Sequence, residues 1–419
     1  MRPFIKPATA NAPAKVKDGG VISLVKAGDA AYNAKSGELL LLPGGALSLR
    51  QIKERLSVRL FEEAGLQPVN CGSDEAIFSL AERYVRDWGD SALSYLDERG
   101  RDIRLLGWSK DVAAAEQKTD EIMKAASDEL EQICAGTPFS FVEETIPDGR
   151  SFSLLFPCEQ GAIGARPGFL CRSCGKILLA DSPFEFRSPQ PGENEPEEEL
   201  KEVATPGANT IAELCSQLNL DVKRTLKAML YVAASEKADG LSPVASFIRG
   251  DYNISLSKLS CWLRNEYGLL GLRSAEKQEL QSFFGEVAGY CGPVGMPENV
   301  ILVCDSSVLG ARNTVAGANH PGYHCTGCCY GRDFAGKIAD IAQPGEGSPC
   351  ACGGSFEATA LRDAGVIQFG HDCKNDAPAS EKVDKKLSYR DREGSHEYPV
   401  IWRGALSAER ILLETGRLR

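Results

Sequence analysis

The feature that constrains this chain most is the segment Gly289–Gly295, which reads Gly-Tyr-Cys-Gly-Pro-Val-Gly. Glycine and proline at this density predict a shaped turn. An apolar run at 300–303 follows and leads into Asp305, which it places at the carboxyl end of a predicted β-strand. Such strand ends are where α/β sheets usually bind ligands, so we expect a ligand site near Asp305.

An α/β module is predicted around the turn. Short strand candidates lie at Leu226–Val232, Val244–Ile248 and Val300–Cys304, separated by helical or loop segments. Thr210 and Glu213 have the spacing of a capping box, in which a hydroxyl and a carboxylate satisfy free backbone amides at the start of a helix.

Two amphipathic helices are predicted nearer the N-terminus. Apolar residues recur at helical spacing within 46–64, with charged residues between them. A second stripe runs through Lys110–Cys134, and Gly136 follows it as a stop signal.

Composition indicates a folded protein of two or three domains, since 43% of the 419 residues are hydrophobic and 25% are charged. We expect a cytoplasmic location, because the sequence has neither a transmembrane-length apolar run nor a signal peptide. A transit peptide in the basic residues 1–17 is the alternative. The net charge of −11 argues against broad coating of nucleic acid but leaves room for a local basic groove. Glu193–Glu202 is predicted to be a solvated linker and a domain boundary.

From Val203 to about Cys352 the chain resembles the editing insertion of bacterial prolyl-tRNA synthetases, the module that hydrolyses tRNA charged with the wrong amino acid. Several separate motifs in the family's order carry the resemblance: Glu202–Gly207, Arg224–Lys227, Arg249–Asp251, Gly292–Gly295, Val315–Asn319 and Gly331–Phe334. The resemblance implies a protein that removes amino acids from tRNA rather than attaching them.

The resemblance also implies a hydrolytic pocket. Carried over by position, its residues are Lys227, Asp305, His324, Gly289, Gly292 and Pro293. An ammonium can hold a phosphate or the 3′-terminal ribose, and backbone amides of a glycine-rich loop can polarise an ester carbonyl for attack by water. Whether the histidine orients that water or the terminal adenosine is left open. Each residue has a structural alternative: a surface lysine, a helix cap, a core histidine or metal ligand, and a simple turn.

The flanks resemble the catalytic body of the same class II synthetases, with losses. Residues 37–65 resemble the first class II motif, which usually builds a dimer interface, but Gly72 replaces its signature proline. Residues 399–410 resemble the third motif and keep Arg410, which in the family contacts ATP, with Leu406 in place of a glycine.

The second motif, which should supply another ATP-binding arginine, has only a faint counterpart at Tyr95–Glu98. Loss of one of the two arginines that normally stabilise the ATP phosphates is expected to reduce adenylate formation strongly. The resemblance ends soon after the third motif, so we expect no anticodon-binding domain. The predicted architecture is a discontinuous class II synthetase-like domain, an antiparallel sheet with helices, at 1–187 and 345–419, carrying an α/β editing domain at 188–344.

Fifteen cysteines without a secretory signal indicate reduced thiols and metal ligands. Cys171 with Cys174, and Cys350 with Cys352, bracket the insertion where many bacterial prolyl-tRNA synthetases carry CxxC pairs. Two such pairs can make a structural four-thiolate zinc site, although the second has CxC spacing. One alternative is that they are buried small hydrophobes. A rival ligand set is His324, Cys325, Cys328 and Cys329.

The favoured function is a trans-acting deacylase, because the chain resembles an intact editing domain carried by a synthetase body that has lost motifs. The resemblance implies alanyl-tRNA(Pro) as its substrate. Ester hydrolysis needs neither metal nor ATP. The first alternative is a noncatalytic accessory or regulatory protein that binds tRNA or a prolyl-tRNA synthetase. The second is an amino-acid-activating, adenylate-forming paralogue. Expected partners are the tRNA acceptor end and a second copy of the chain in a homodimer.

Overall fold

The structure is a computed structural model. It describes residues 16, 18–33, 36, 38–68, 93–97, 100–109, 111–134, 136–146, 149–162, 164–183, 190–235, 240–285, 289–370, 389–390, 396–397 and 400–416. The predictions at Gly72 and Glu98 lie outside these residues. The chain forms two compact units, the first made of Met1–Leu179 and Glu357–Arg419 and the second of Ala180–Phe356.

The helices are α1 Gly19–Ala27, α2 Pro43–Ala64, α3 Val112–Ile133, α4 Ile211–Leu218, α5 Leu256–Tyr267, α6 Lys277–Glu279 and α7 Ala408–Thr415. Among the described residues, none of these helices has the length and apolarity that a membrane span requires.

The strands of the first unit are β1 Ala30–Asn33, β2 Glu38–Leu41, β3 Gln67–Pro68, β4 Leu93–Asp97, β5 Asp102–Ser109, β6 Ser140–Ile146, β7 Gly149–Cys158, β8 Arg166–Cys171, β9 Ile177–Leu178, β20 Phe356–Gly370, β21 Tyr389–Arg390, β22 His396–Glu397 and β23 Val400–Ser407. Those of the second unit are β10 Lys201–Ala204, β11 Leu226–Ser235, β12 Leu241–Arg249, β13 Asn253–Ile254, β14 Leu269–Ser274, β15 Ile301–Asp305, β16 Thr314–Gly317, β17 Tyr323–Cys328, β18 Lys337–Ala339 and β19 Ala342–Gln343.

The first unit is built on a large, mostly antiparallel sheet in the order β3-β4-β5-β23-β20-β7-β6. Helices α2, α3 and α7 pack against it around the fully buried Trp402 and Phe156. The two predicted amphipathic helices are confirmed as α2 and α3, and their apolar stripes enter this core. An antiparallel sheet with helices was expected here, whereas its identity as a class II synthetase body stays a prediction.

The second unit has a five-stranded sheet in the order β14-β11-β12-β15-β18. The three predicted strands are confirmed as β11, β12 and β15, and β12, β15 and β18 run parallel. The capping box is confirmed: the Glu213 amide donates to Thr210 Oγ1 at 3.3 Å, and the Thr210 amide donates to Glu213 Oε2 at 2.9 Å.

A second, three-stranded sheet in the order β10-β17-β16 completes this unit. A parallel bridge between Thr225 and Val315 places the start of β11 beside β16. The predicted acidic linker is mostly exposed, as expected, but it is held on the second unit: Glu195 pairs with Arg224, and the Glu198 amide donates to Asn313 Oδ1 at 2.9 Å.

Candidate functional site

Loop 289–295 lies directly against the end of β16, with backbone touching backbone. A Cβ atom added to Gly292 would lie 1.7 Å from the carbonyl oxygen of Gly317, and one added to Gly317 would lie 2.1 Å from that of Tyr290. Real Cβ atoms never approach other atoms so closely. Only glycine at both positions permits this contact.

Asn319 holds the loop in place through three hydrogen bonds. Its Oδ1 accepts from the Gly292 amide at 2.8 Å, its Nδ2 donates to the Val294 carbonyl at 2.7 Å, and its own amide donates to the Tyr290 carbonyl at 2.9 Å. The Gly292 amide is therefore already used, so Gly292 shapes the loop instead of polarising a substrate carbonyl. Sequence reasoning had not assigned Asn319 to the site, although the residue ends one of the motifs that carry the resemblance.

His324 lies on β17 beside this loop, buried at 4% exposure. Its Nδ1 shares a hydrogen bond of 2.6 Å with Thr205 Oγ1, and its ring lies 5.3 Å from that of Tyr290, centroid to centroid. Burial lowers the pKa of His324, which favours the neutral imidazole. The structure thus brings His324 together with the predicted loop, and it adds Thr205 as the group that orients the ring.

Lys227 lies near the start of β11 and is half-buried, so it is not a solvated surface lysine. Its Nζ donates to the Tyr252 carbonyl at 2.7 Å and to Asn253 Oδ1 at 3.1 Å. Burial lowers the pKa of Lys227, while the nearby Asp251 carboxylate raises it. The ammonium is held in one place by these contacts.

Asp305 is the last residue of β15, as predicted, and its side chain is completely buried. Oδ1 accepts from the Ser307 amide at 2.8 Å, and Oδ2 accepts from the amides of Ile341 and Ala342, both at 2.9 Å. Burial raises the pKa of Asp305 above its usual value, and the hydrogen bonds from Ser307 and the Ile341 amide partly oppose that shift. The contacts are those of a carboxylate that joins the turn after β15 to the backbone at 341–342, and a direct part in hydrolysis stays a prediction.

The predicted residues therefore fall into two groups. The loop and His324 belong to the three-stranded sheet, while Lys227 and Asp305 belong to the five-stranded one. Lys227 pairs with Ile248 on β12. The β12 residue before it, Phe247, pairs with Cys304 on β15, and Asp305 follows Cys304. Lys227 and Asp305 therefore lie at the same end of the sheet. The bridge from Thr225 to β16 connects that end to the strand that carries Gly317.

The predicted zinc ligands lie in two similar turns, one in each unit. In the first, the Gly175 amide donates to the Cys171 carbonyl at 2.8 Å; in the second, the Gly353 amide donates to the Cys350 carbonyl at 2.9 Å. Both glycines have positive φ, 76° and 89°. The CxC turn is thus a version of the CxxC turn that is one residue tighter, and its thiol donors suit zinc.

The rival ligand set does not surround one point. His324 faces Thr205 and Tyr290, whereas Cys325 and Cys328 lie in the apolar cluster on the other face of β17. Adjacent residues of a strand point to opposite faces, so His324 and Cys325 do not share a ligand site.

Arg410, the predicted ATP contact, is engaged within the first unit. Its Nη1 lies 3.2 Å from Asp18 Oδ2 and 3.6 Å from a Glu414 carboxylate oxygen. The buried Arg362 pairs with the same two carboxylates. A triphosphate would have to displace both acids from Arg410.

We predict that Gly292→Ala lowers the free energy of unfolding by about 1–3 kcal/mol, because the new methyl group overlaps the Gly317 carbonyl. Urea unfolding measures the change. Gly345→Ala is the matched control, since a Cβ there meets only Ser348 Oγ, at 3.9 Å. Equal stability of the Gly292 variant and the control would contradict the close contact.

We also predict a pH dependence that originates at His324. Its pKa in the folded protein lies below the usual value of about 6.5, so the unfolded chain takes up the proton first. The stabilisation is present above about pH 6.5 and is lost as the pH falls through the lower, folded pKa. Urea unfolding at about pH 7.5 and about pH 5.5 should show a larger loss for wild type than for His324→Gln. Equal losses of unfolding free energy in wild type and in His324→Gln would refute the assignment of this pH dependence to His324.

Residues 205–328 match the family model of the aminoacyl-tRNA editing domain. This range contains the candidate loop, His324, Lys227 and Asp305. The crystal structure of hypothetical protein APE2540 aligns with 34% of this chain and 91% of that chain, with a TM-score of 0.28 and 18% sequence identity.

Curated relatives extend the similarity beyond that range. The proline–tRNA ligase of Dehalococcoides mccartyi (strain ATCC BAA-2266) is 34% identical over 265 residues, which cover 59% of this chain and 43% of the ligase. That of Aquifex aeolicus (strain VF5) is 32% identical over 233 residues, 55% of this chain and 38% of the ligase. The chain spans less than half the length of these relatives. It is therefore related to prolyl-tRNA synthetases, and its central part is similar to aminoacyl-tRNA editing domains.

Proposed function

We propose that this protein is a trans-acting aminoacyl-tRNA deacylase. The observation that supports it most is that the editing-family match at 205–328 includes every predicted catalytic residue. Within that range the glycine-rich loop, Asn319 and His324 form one continuous set of contacts. A loop whose shape depends on two glycines in contact is a rigid feature of the kind that orients a substrate.

The proposed reaction is hydrolysis of the ester between an amino acid and the 3′-terminal ribose. Water attacks the carbonyl carbon, and the ribose oxygen leaves with a proton. His324, neutral because burial lowers its pKa, is suited to accept a hydrogen bond from the water or from a ribose hydroxyl. The Lys227 ammonium provides a fixed positive charge for the tRNA end.

We propose alanyl-tRNA(Pro) as the substrate. The resemblance to the editing insertion of bacterial prolyl-tRNA synthetases implies it. Cys291 lies buried within the loop and packs in the apolar cluster of the second unit, and we propose that its size tunes the amino-acid pocket through the shape of the loop. The acceptor end is the proposed recognition element on the tRNA.

Release of radiolabelled alanine from alanyl-tRNA(Pro) tests the proposal. We expect rapid release by wild type, a loss of at least about 100-fold in Lys227→Ala and His324→Ala, and no change in Lys337→Ala. Lys337 is a matched control because it is an exposed lysine on β18 of the same sheet. Prolyl-tRNA(Pro) should be spared.

The outcomes separate the candidate functions. Release by both site variants at the wild-type rate would remove these residues from the mechanism. No release from any charged tRNA, together with measurable binding of tRNA or of a prolyl-tRNA synthetase, would establish the accessory protein instead. Pyrophosphate exchange that depends on an amino acid would indicate activation, which the pairing of Arg410 with Asp18 and Glu414 disfavours.

We further propose that the chain forms a homodimer through α2. Leu47, Val58 and Phe61 lie on one side of this helix and are 53%, 49% and 52% exposed. Light scattering should give twice the chain mass for wild type and a monomer for Phe61→Glu. Val112→Glu, which changes an exposed apolar residue on α3, should stay dimeric. A monomeric wild type at all concentrations would exclude the dimer.

We also propose structural zinc, held by Cys171, Cys174, Cys350 and Cys352. Their thiolates are the ligands that such zinc sites use, and the two glycine-stabilised turns present them in a similar way. Elemental analysis should find about one zinc per chain, lost in Cys174→Ser and Cys352→Ser but kept in Cys215→Ser. Wild-type protein that contains no zinc after purification in zinc-containing buffer would contradict the proposed zinc site.

A further inference from the structure

The segment Cys325-Thr326-Gly327-Cys328 gives β17 an irregularity that the proposed hydrolysis does not use. Cys325 pairs with Ala316 on β16, whereas Cys328 pairs with Thr314. Cys325 and Cys328 are three residues apart on β17, whereas their partners on β16 are only two residues apart. The extra residue on β17 defines a β-bulge. Gly327, with φ of 74°, supplies the left-handed residue that the bulge contains.

The bulge changes the distance between the two cysteines. In a regular strand, residues three apart are separated by about 10 Å and point to opposite faces, because each residue adds about 3.3 Å. Here the same residues span the two-residue repeat of β16, about 6.6 Å, and share a face. Disulfides join Cα atoms that lie about 4.4–6.8 Å apart. The bulge therefore brings the pair within the range of a disulfide.

The two side chains also lie together in one environment. Both belong to the apolar cluster of the second unit, and Cys328 Sγ lies 3.6 Å from the Cys325 carbonyl oxygen. Cys325 is 9% exposed and Cys328 is fully buried. A hydrogen bond from the Cys328 thiol lowers the pKa of Cys325, and the pKa of Cys328 is raised by the same bond and by burial. One thiol is thus the nucleophile and the other the protonated partner.

The charged groups around Cys325 come from three neighbouring segments. The Glu202 and Asp333 carboxylates raise its pKa and His320 lowers it, each less than the Cys328 thiol does. Cys329, next in the chain, has its sulfur 3.8 Å from Asn313 Oδ1 and 3.6 Å from the Gly327 carbonyl oxygen. Cys329 therefore has different contacts from the pair and serves as an internal control.

We propose that Cys325 and Cys328 are a redox-active dithiol that hydrogen peroxide converts into an intramolecular disulfide. The Cys325 thiol loses its proton, and the thiolate attacks one peroxide oxygen. The O–O bond breaks, giving Cys325 sulfenic acid, and the hydroxide that leaves takes up that proton as the first water. The Cys328 sulfur then attacks the Cys325 sulfur, and the displaced hydroxyl leaves with the Cys328 proton as the second water. In total, two thiols and one peroxide give one disulfide and two waters, with two electrons passing to the peroxide.

The test uses the reduced chain of 419 residues, treated with a small excess of hydrogen peroxide, quenched, alkylated without reduction and digested with trypsin. The peptide that carries Cys325, Cys328 and Cys329 should lose two of its three alkylation sites and two hydrogen atoms, with the remaining alkyl group on Cys329. Mapping on wild type requires no variant to fold, and it is independent of deacylase activity.

Variants identify the chemistry. Cys325→Ser should abolish the disulfide, Cys328→Ser should leave a sulfenic acid on Cys325 that dimedone traps, and Cys329→Ser should form the disulfide as wild type does. Complete alkylation of all three cysteines in peroxide-treated wild type would overturn the proposal. So would a disulfide that includes Cys329, or one that forms equally well in Cys325→Ser.

Discussion

The candidate site depends on the contact between Gly292 and Gly317, where two backbones meet without a side chain between them. Their approach puts Tyr290 against the ring of His324 and lets the Asn319 side chain reach two residues of the loop. A single methyl group at either glycine would separate the loop from β16. The positions of His324, Asn319 and the loop are therefore coupled.

Buried polar groups hold the second unit together around this contact. The Asp305 carboxylate accepts three backbone amides, which offsets the cost of burying a charge. Lys227 is similarly held by a carbonyl and an amide oxygen. Because such groups lose stabilisation when a partner moves, they keep the end of the five-stranded sheet that carries Lys227 and Asp305 in one arrangement. The Thr225–Val315 bridge connects this end to β16.

Strand β17 combines two kinds of chemistry on opposite faces. His324 points to the loop, and Cys325 points to the apolar cluster that also contains Cys328. The alternation of a β-strand separates the imidazole from the thiols, and the bulge then brings the two thiols to the same face. One strand can thus carry a candidate hydrolytic residue and a dithiol without forming a shared metal site.

The sequence by itself determined the helices α2 and α3, the capping box at Thr210, and the strands β11, β12 and β15, because periodicity and capping act over a few residues. It also determined that Asp305 ends a strand. Only the tertiary structure decided what these residues contact: that Asn319 occupies the Gly292 amide, that Thr205 orients His324, and that the acidic stretch pairs with arginines. Those contacts join residues up to 119 positions apart, and no local pattern specifies such pairings.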